Sequence, residues 1–103
     1  MATQQFALAE AHAFVVDLHE LGIYPQQVIL FGSYARNEQH EWSDIDLAIV
    51  AEEFGSFRPD NSARMSPALW KHVEIEPHSF RPEDFIDWNP FVQEIKRTGI
   101  RVV

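Results

Sequence analysis

Apolar residues recur in steps of three and four between Thr3 and Leu21. Phe6, Ala9, Ala13 and Val16 form one stripe, and Phe14, Leu18 and Leu21 form an adjacent one. This spacing predicts an amphipathic helix, with Thr3 placed to cap its start and Gly22 to stop it. Val28-Ile29-Leu30-Phe31 is an unbroken apolar run closed by Gly32, the pattern of a buried strand. A short helix is expected from Ser33 to Glu38, then a polar turn through Gln39-His40-Glu41, then a second strand from Asp44 to Val50. Residues 51–70 carry Gly, Ser, Pro, Asn and Asp without clear periodicity and read mostly as a mobile loop. His72 to Glu76 alternates and stops at Pro77, giving a third strand. Pro82-Glu83-Asp84 opens a helical region, which Pro90 kinks or divides and Gly99 ends. Ile100-Arg101-Val102-Val103 adds a short edge strand. The alternation of helices and strands predicts an α/β fold, a small mixed sheet flanked by helices.

Composition narrows this picture. With 103 residues, residues 1–103 are expected to form one domain, because two halves would each be too small to bury a core. Hydrophobic residues make up 46% of the chain, with eight Phe and three Trp, which suits a folded protein. The formal charge of −8 and pI near 4.9 argue against a broad nucleic-acid surface, which needs basic residues. A nucleotide is not excluded, since it needs only a local pocket and can bring its own metal. The absence of cysteine removes disulfides, thiolate zinc sites and a Cys nucleophile. The N-terminus shows no basic segment followed by an apolar run, and no stretch approaches a membrane span. A soluble, cytoplasmic protein is therefore expected.

The chemistry concentrates in two segments. Asp44 and Asp46 lie two residues apart on a predicted strand, so their side chains share a face, roughly 6.5–7 Å apart along the strand. Two ionised carboxylates on one face repel each other, and a hard dication between them removes the conflict. Ile45 points the other way and anchors the strand. Asp-x-Asp alone describes many solvated strand faces. Upstream, however, a buried strand ends in Gly32-Ser33 and turns, presenting backbone N–H groups and a hydroxyl to an anion. Gly32 lets phosphate oxygens approach the backbone, and Ser33 can hydrogen-bond to them. No Gly-Lys-Ser/Thr follows, so this is not a Walker A loop, and there is no G-x-G-x-x-G. A third carboxylate is expected where two metals flank a reacting phosphorus. Glu74 and Glu76, alternating on the third predicted strand, are the candidates. Glu76 is preferred because it sits at the strand end beside Pro77.

Gly32-Ser33-Tyr34-Ala35-Arg36 followed by Ser43-Asp44-Ile45-Asp46-Leu47 resembles the signature of the DNA polymerase β-like nucleotidyltransferase superfamily. The length of the chain and its order of elements are similar to the minimal nucleotidyltransferase (MNT) branch. The family pattern is Gly-Ser-x-Ala-x-Gly, then Ser-Asp-x-Asp-Leu; Asn37 stands here where the second glycine often stands. Asn also tolerates left-handed backbone geometry. The resemblance implies that Gly32 and Ser33 hold nucleotide phosphates and that Asp44 and Asp46 bind magnesium. The third carboxylate falls on Glu76, with Glu74 as the alternative. Arg36 is either a phosphate contact or a solvated helix residue, and Ser43 orders the turn into the strand.

The resemblance further implies ATP as nucleotide donor, Mg2+ as cofactor and an antitoxin role. Members of this branch are paired with a helical HEPN-domain toxin and move AMP onto a tyrosine hydroxyl of that partner. The alternative is a nucleotidyltransferase fold with weak or absent catalysis that neutralises its partner by binding alone. Arg58, Arg64 and Lys71 read as exposed loop cations, and His72 and His78 flank the third strand without zinc spacing. Trp42, Trp70 and Trp88 read as core or interface residues.

Overall fold

In the computed structural model, which describes residues 3–103, helix α1 (Gln4–Glu20) leads into strands β1 (Gln27–Phe31) and β2 (Ile45–Val50). Helix α2 (Arg58–Lys71), strand β3 (Ile75–Phe80), a 3-10 turn (Pro82–Asp84), helix α3 (Pro90–Thr98) and strand β4 (Ile100–Arg101) follow. The four strands form one mixed sheet in the order β3-β2-β1-β4. β1 is antiparallel to β2 and β4, and β2 is parallel to β3. This is the small α/β fold expected from the sequence.

The sheet is buried on both faces, as its near-continuous apolar strands require. Val28, Leu30, Ile45, Leu47 and Ile49 pack with α1 and α2 through Phe14, Leu18, Met65 and Ala68. On the other face, Ile29, Ala48, Val50 and Phe80 pack with Phe85 and with Val92 and Ile95 of α3. α1 starts at Thr3, whose hydroxyl accepts the Phe6 N–H at 3.0 Å, and stops before Gly22, which takes φ +79°. Its buried face is Ala7, Ala11, Phe14, Val15 and Leu18. The stripe expected from Phe6, Ala9, Ala13 and Val16 is thus misplaced: Ala9 and Ala13 are exposed, and Val16 is 57% exposed. With apolar residues on several faces of the helix, packing of the bulky Phe14 and Leu18 against the sheet decides which face turns inward.

Three further expectations are corrected. The segment read as a loop holds α2, which begins with Pro59 in its first turn and carries Pro67 inside it. Pro67 and the Ser, Asn and Asp content mask the period, while Asn61, Met65 and Ala68 form its buried stripe at i, i+4, i+7. Asn61 accepts the Gly55 N–H and donates to the Gly55 carbonyl, both at 2.9 Å, and to Ser79 Oγ at 3.1 Å. It thereby ties the 51–57 connection to β3.

The second correction concerns β3, which runs through Pro77 rather than stopping there. The Ile45 N–H donates to the Glu74 carbonyl and the Ala51 N–H to the Phe80 carbonyl, so the even-numbered residues of β3 face β2. Pro77 is odd-numbered and turns its ring nitrogen away from the ladder on an edge strand, where a missing N–H costs nothing. The helix expected at Ser33–Glu38 is a set of hydrogen-bonded turns, held by Arg36 N–H to Gly32 carbonyl (3.2 Å) and Glu38 N–H to Ser33 carbonyl (2.9 Å). Pro90 divides the C-terminal helical region and Gly99 caps α3. The three tryptophans lie on the surface, each more than three-quarters exposed; aliphatic side chains and Phe fill the core instead.

Candidate active site

The end of β1 and the starts of β2 and β3 meet on the α3 face of the sheet. Phe31 is the register partner of Asp46, and Asp46 of Glu76, so these three side chains form one row across the strands. One step further along β3, His78 projects from the same face. Its Nε2 lies 3.3 Å from Asp46 Oδ1. Asp46, Glu76 and His78 each offer a donor atom within 4.8 Å of the other two. The His78 ring packs edge-on to Phe31 (centroids 4.9 Å apart) and near Phe91 of α3 (6.1 Å). An apolar aromatic wall thus stands behind the carboxylates.

Gly32 is tied to this cluster by shape. It takes φ +75°, and a Cβ there would lie 2.4 Å from Asp46 Oδ2. The glycine therefore makes room for a carboxylate of its own chain as well as permitting the turn. The turn that follows is held from two sides. Gln4 of α1 donates to the Tyr34 carbonyl (3.0 Å) and the Ala35 carbonyl (3.3 Å), and Tyr34 is buried. Asn37 adopts φ +56°, the left-handed geometry that asparagine tolerates better than most residues.

The electrostatics favour a cation. Among the described residues, the His78 imidazole is the one basic side chain within 4.0 Å of the Asp46 carboxylate, and no Lys or Arg pairs with Asp46 or Glu76. The Glu76 carboxyl is held above the usual carboxylate range. Desolvation contributes most, the neighbouring Asp46 charge next, and Asp44 and a hydrogen bond to Asp46 add to it, while His78 acts in the opposite sense. Two carboxyl groups this close either share a proton or share a dication, and oxygen donors beside a turn that opens toward solvent fit the second.

The other expected site residues fall as follows. Asp44 is exposed, one residue before β2, and outside the three-residue cluster, though its charge is felt by Glu76. Glu74 lies in the turn before β3, outside the cluster; burial is the larger cause that raises the pKa of the Tyr34 hydroxyl, and the Glu74 charge adds to it. Of the two alternatives for the third carboxylate, Glu76 is the one beside Asp46. Ser33 opens the turn after Gly32. Ser43 accepts the His40 N–H at 3.0 Å, which orders the approach to β2. Arg36 is bonded to Glu38 at 2.8 Å on the surface. His78 was not expected here; had the strand been continued past Pro77, its i, i+2 spacing from Glu76 would have put it on the same face. Arg58 lies over the Phe80 ring, beside a separate cavity of about 250 Å³ lined by Arg58, Ser79, Arg81, Trp88 and Asn89.

No curated protein matches the chain. The nucleotidyltransferase domain family, in contrast, matches residues 12–100, a span that holds the Gly32 turn, β2, β3 and every residue of the cluster. The four-strand mixed sheet with its flanking helices is consistent with a polymerase β-like nucleotidyltransferase fold, and the chain belongs to the nucleotidyltransferase domain family.

Proposed function

We propose that the protein is a minimal nucleotidyltransferase of the antitoxin type, moving AMP from ATP to a tyrosine hydroxyl of a HEPN-domain partner in a Mg2+-dependent reaction. The observation that carries this reading is the pairing of Asp46 with Glu76 next to Gly32 in a chain of this family. The Gly-Ser turn and the two segments resembling the MNT signature support the narrower assignment. A dication bound by Asp46 and Glu76, with Asp44 at the rim, would neutralise phosphate charge and stabilise the pyrophosphate as it leaves.

The protein's own groups do the rest. The backbone N–H groups after Gly32 and the Ser33 hydroxyl orient the triphosphate, while Asp46 and Glu76 would hold the dication that offsets their own repulsion of the phosphates. The acceptor oxygen forms a bond to the α-phosphorus as the bond to the bridging oxygen of pyrophosphate breaks, and the hydroxyl proton passes to solvent. The test is intact-mass measurement of a HEPN-domain partner after incubation with the chain, ATP and Mg2+. A gain of one AMP that Asp46→Asn and Glu76→Gln abolish is expected. An unmodified partner that is still neutralised by Asp46→Asn would replace this reading with neutralisation by binding alone.

A further inference from the structure

Of the groups that converge at the site, His78 is unlike a ligand set built for magnesium. We propose that His78 Nε2 is a direct ligand of the cation held by Asp46 and Glu76, so that the site prefers a first-row transition dication to Mg2+ at equal concentration. This rests on the cation-dependent reading above and adds to it the identity of the third donor and the class of ion.

Four observations carry it. The first is distance. Two ligands bound at about 2.2 Å and at right angles lie about 3.1 Å apart, and His78 Nε2 stands 3.3 Å from Asp46 Oδ1. All three donors fall within 4.8 Å of one another, close enough to converge on one ion. The second is aim. The imidazole packs edge-on against Phe31 and Phe91, and its Nε2 is turned to Asp46. The third is position: His78 lies two residues along β3 from Glu76 and joins Asp46 and Glu76 as the third member of the cluster. The fourth is charge. Two carboxylates and a neutral imidazole balance a dication, and no Lys or Arg among the described residues competes for them.

Donor chemistry then sets selectivity. Mg2+ is a hard ion that prefers oxygen and keeps much of its water. Imidazole nitrogen favours transition ions over Mg2+, whereas carboxylates serve both. A mixed nitrogen and oxygen set therefore discriminates where an all-oxygen set does not.

The probe is Mn2+ itself, titrated into the full chain and followed by electron paramagnetic resonance, with Mg2+ as competitor. Pulsed spectra of the bound ion are expected to show nitrogen modulation from one directly coordinated imidazole. Protein carrying 15N-histidine should shift that modulation to the 15N pattern, a readout that requires no substitution. His78→Leu, chosen to keep the packing against Phe31 and Phe91, should remove the modulation and weaken Mn2+ at least about tenfold, with a smaller loss for Mg2+, so that the Mn2+ to Mg2+ preference falls. Asp46→Asn should abolish binding of both ions. Bound Mn2+ without nitrogen modulation, or an unaltered Mn2+ to Mg2+ preference in His78→Leu, overturns the ligand role and leaves His78 a hydrogen-bond partner of Asp46. In that event the nucleotidyl-transfer reading stands so long as Asp46→Asn still abolishes binding. Failure of the chain to bind any divalent ion, with or without a non-hydrolysable ATP analogue, would overturn both.

Discussion

Gly32 and Gly22 offer a matched pair for testing how the site is built. Both take positive φ, +75° and +79°, but a Cβ on Gly22 meets nothing within 4 Å, whereas one on Gly32 meets Asp46 Oδ2 at 2.4 Å. Alanine at either position incurs the left-handed backbone cost of about 1–2 kcal/mol. In a domain of this size that lowers Tm by roughly 5–15 °C. Only Gly32→Ala adds a collision. To reach the 3.4 Å of ordinary contact, the Asp46 carboxylate must retreat by about 1 Å, a displacement that can cost on the order of 100-fold in rate at a catalytic group. The moving atom is the end of a side chain, so the collision adds little to the loss of stability.

The two variants should therefore melt at similar temperatures and diverge in function. Calorimetric titration of a divalent ion without nucleotide isolates the effect on Asp46 from any obstruction of phosphates, and transfer assays then follow the full site. Gly22→Ala is expected to bind the ion as the natural chain does and Gly32→Ala to bind it far more weakly. Equal ion affinity in the two variants would refute the idea that Gly32 makes room for the Asp46 carboxylate.

Three further outcomes are expected. His72, buried at the end of α2, hydrogen-bonds to Glu10 Oε2 at 2.7 Å and Asp17 Oδ2 at 2.8 Å; burial alone would lower its pKa, but these bonds and charges outweigh it and raise it. The folded state then holds a proton that the unfolded state has released, so this stabilisation is complete below about pH 6.5 and is lost as pH rises through the raised value. Urea melts should show that slope in the natural chain and not in His72→Ala. Asn61→Ala leaves the Gly55 N–H and carbonyl and Ser79 Oγ without their partner and should cost about 2–4 kcal/mol, read by chemical denaturation; a loss near zero would show that water replaces the amide. Gly99→Ala would place a Cβ 2.4 Å from both Ile29 Cγ2 and the Ile95 carbonyl. Because a backbone oxygen cannot swing aside, it should destabilise by about 1–3 kcal/mol, measured as a lowered Tm.

The residues that set local geometry were legible from the chain alone. Thr3, Gly22, Pro90 and Gly99 mark ends of helices because capping and ring constraints act within a few residues. The apolar run ending at Gly32 and the Asp-x-Asp segment identified two adjoining strands for the same reason. The local signal fails where a local rule meets a tertiary exception. Pro77 ends a strand only if its nitrogen must join the ladder, and that depends on which edge of the sheet β3 occupies. Pro67 and the polar content of residues 58–71 hid a helix whose burial is supplied by the sheet and α1.

The site divides in the same way. The sequence by itself determined the types of donor, the glycine turn and the resemblance to a nucleotidyltransferase, since these follow from residue identity and short spacing. Only the tertiary structure decided which carboxylate meets Asp46, because the parallel register of β2 and β3 pairs it with Glu76 and leaves Glu74 in the preceding turn. The same register brings His78 into the cluster and shows that Gly32 accommodates Asp46. Partners that lie dozens of residues apart are set by strand pairing, and strand pairing is fixed by burying both faces of the sheet at once rather than by any spacing along the chain.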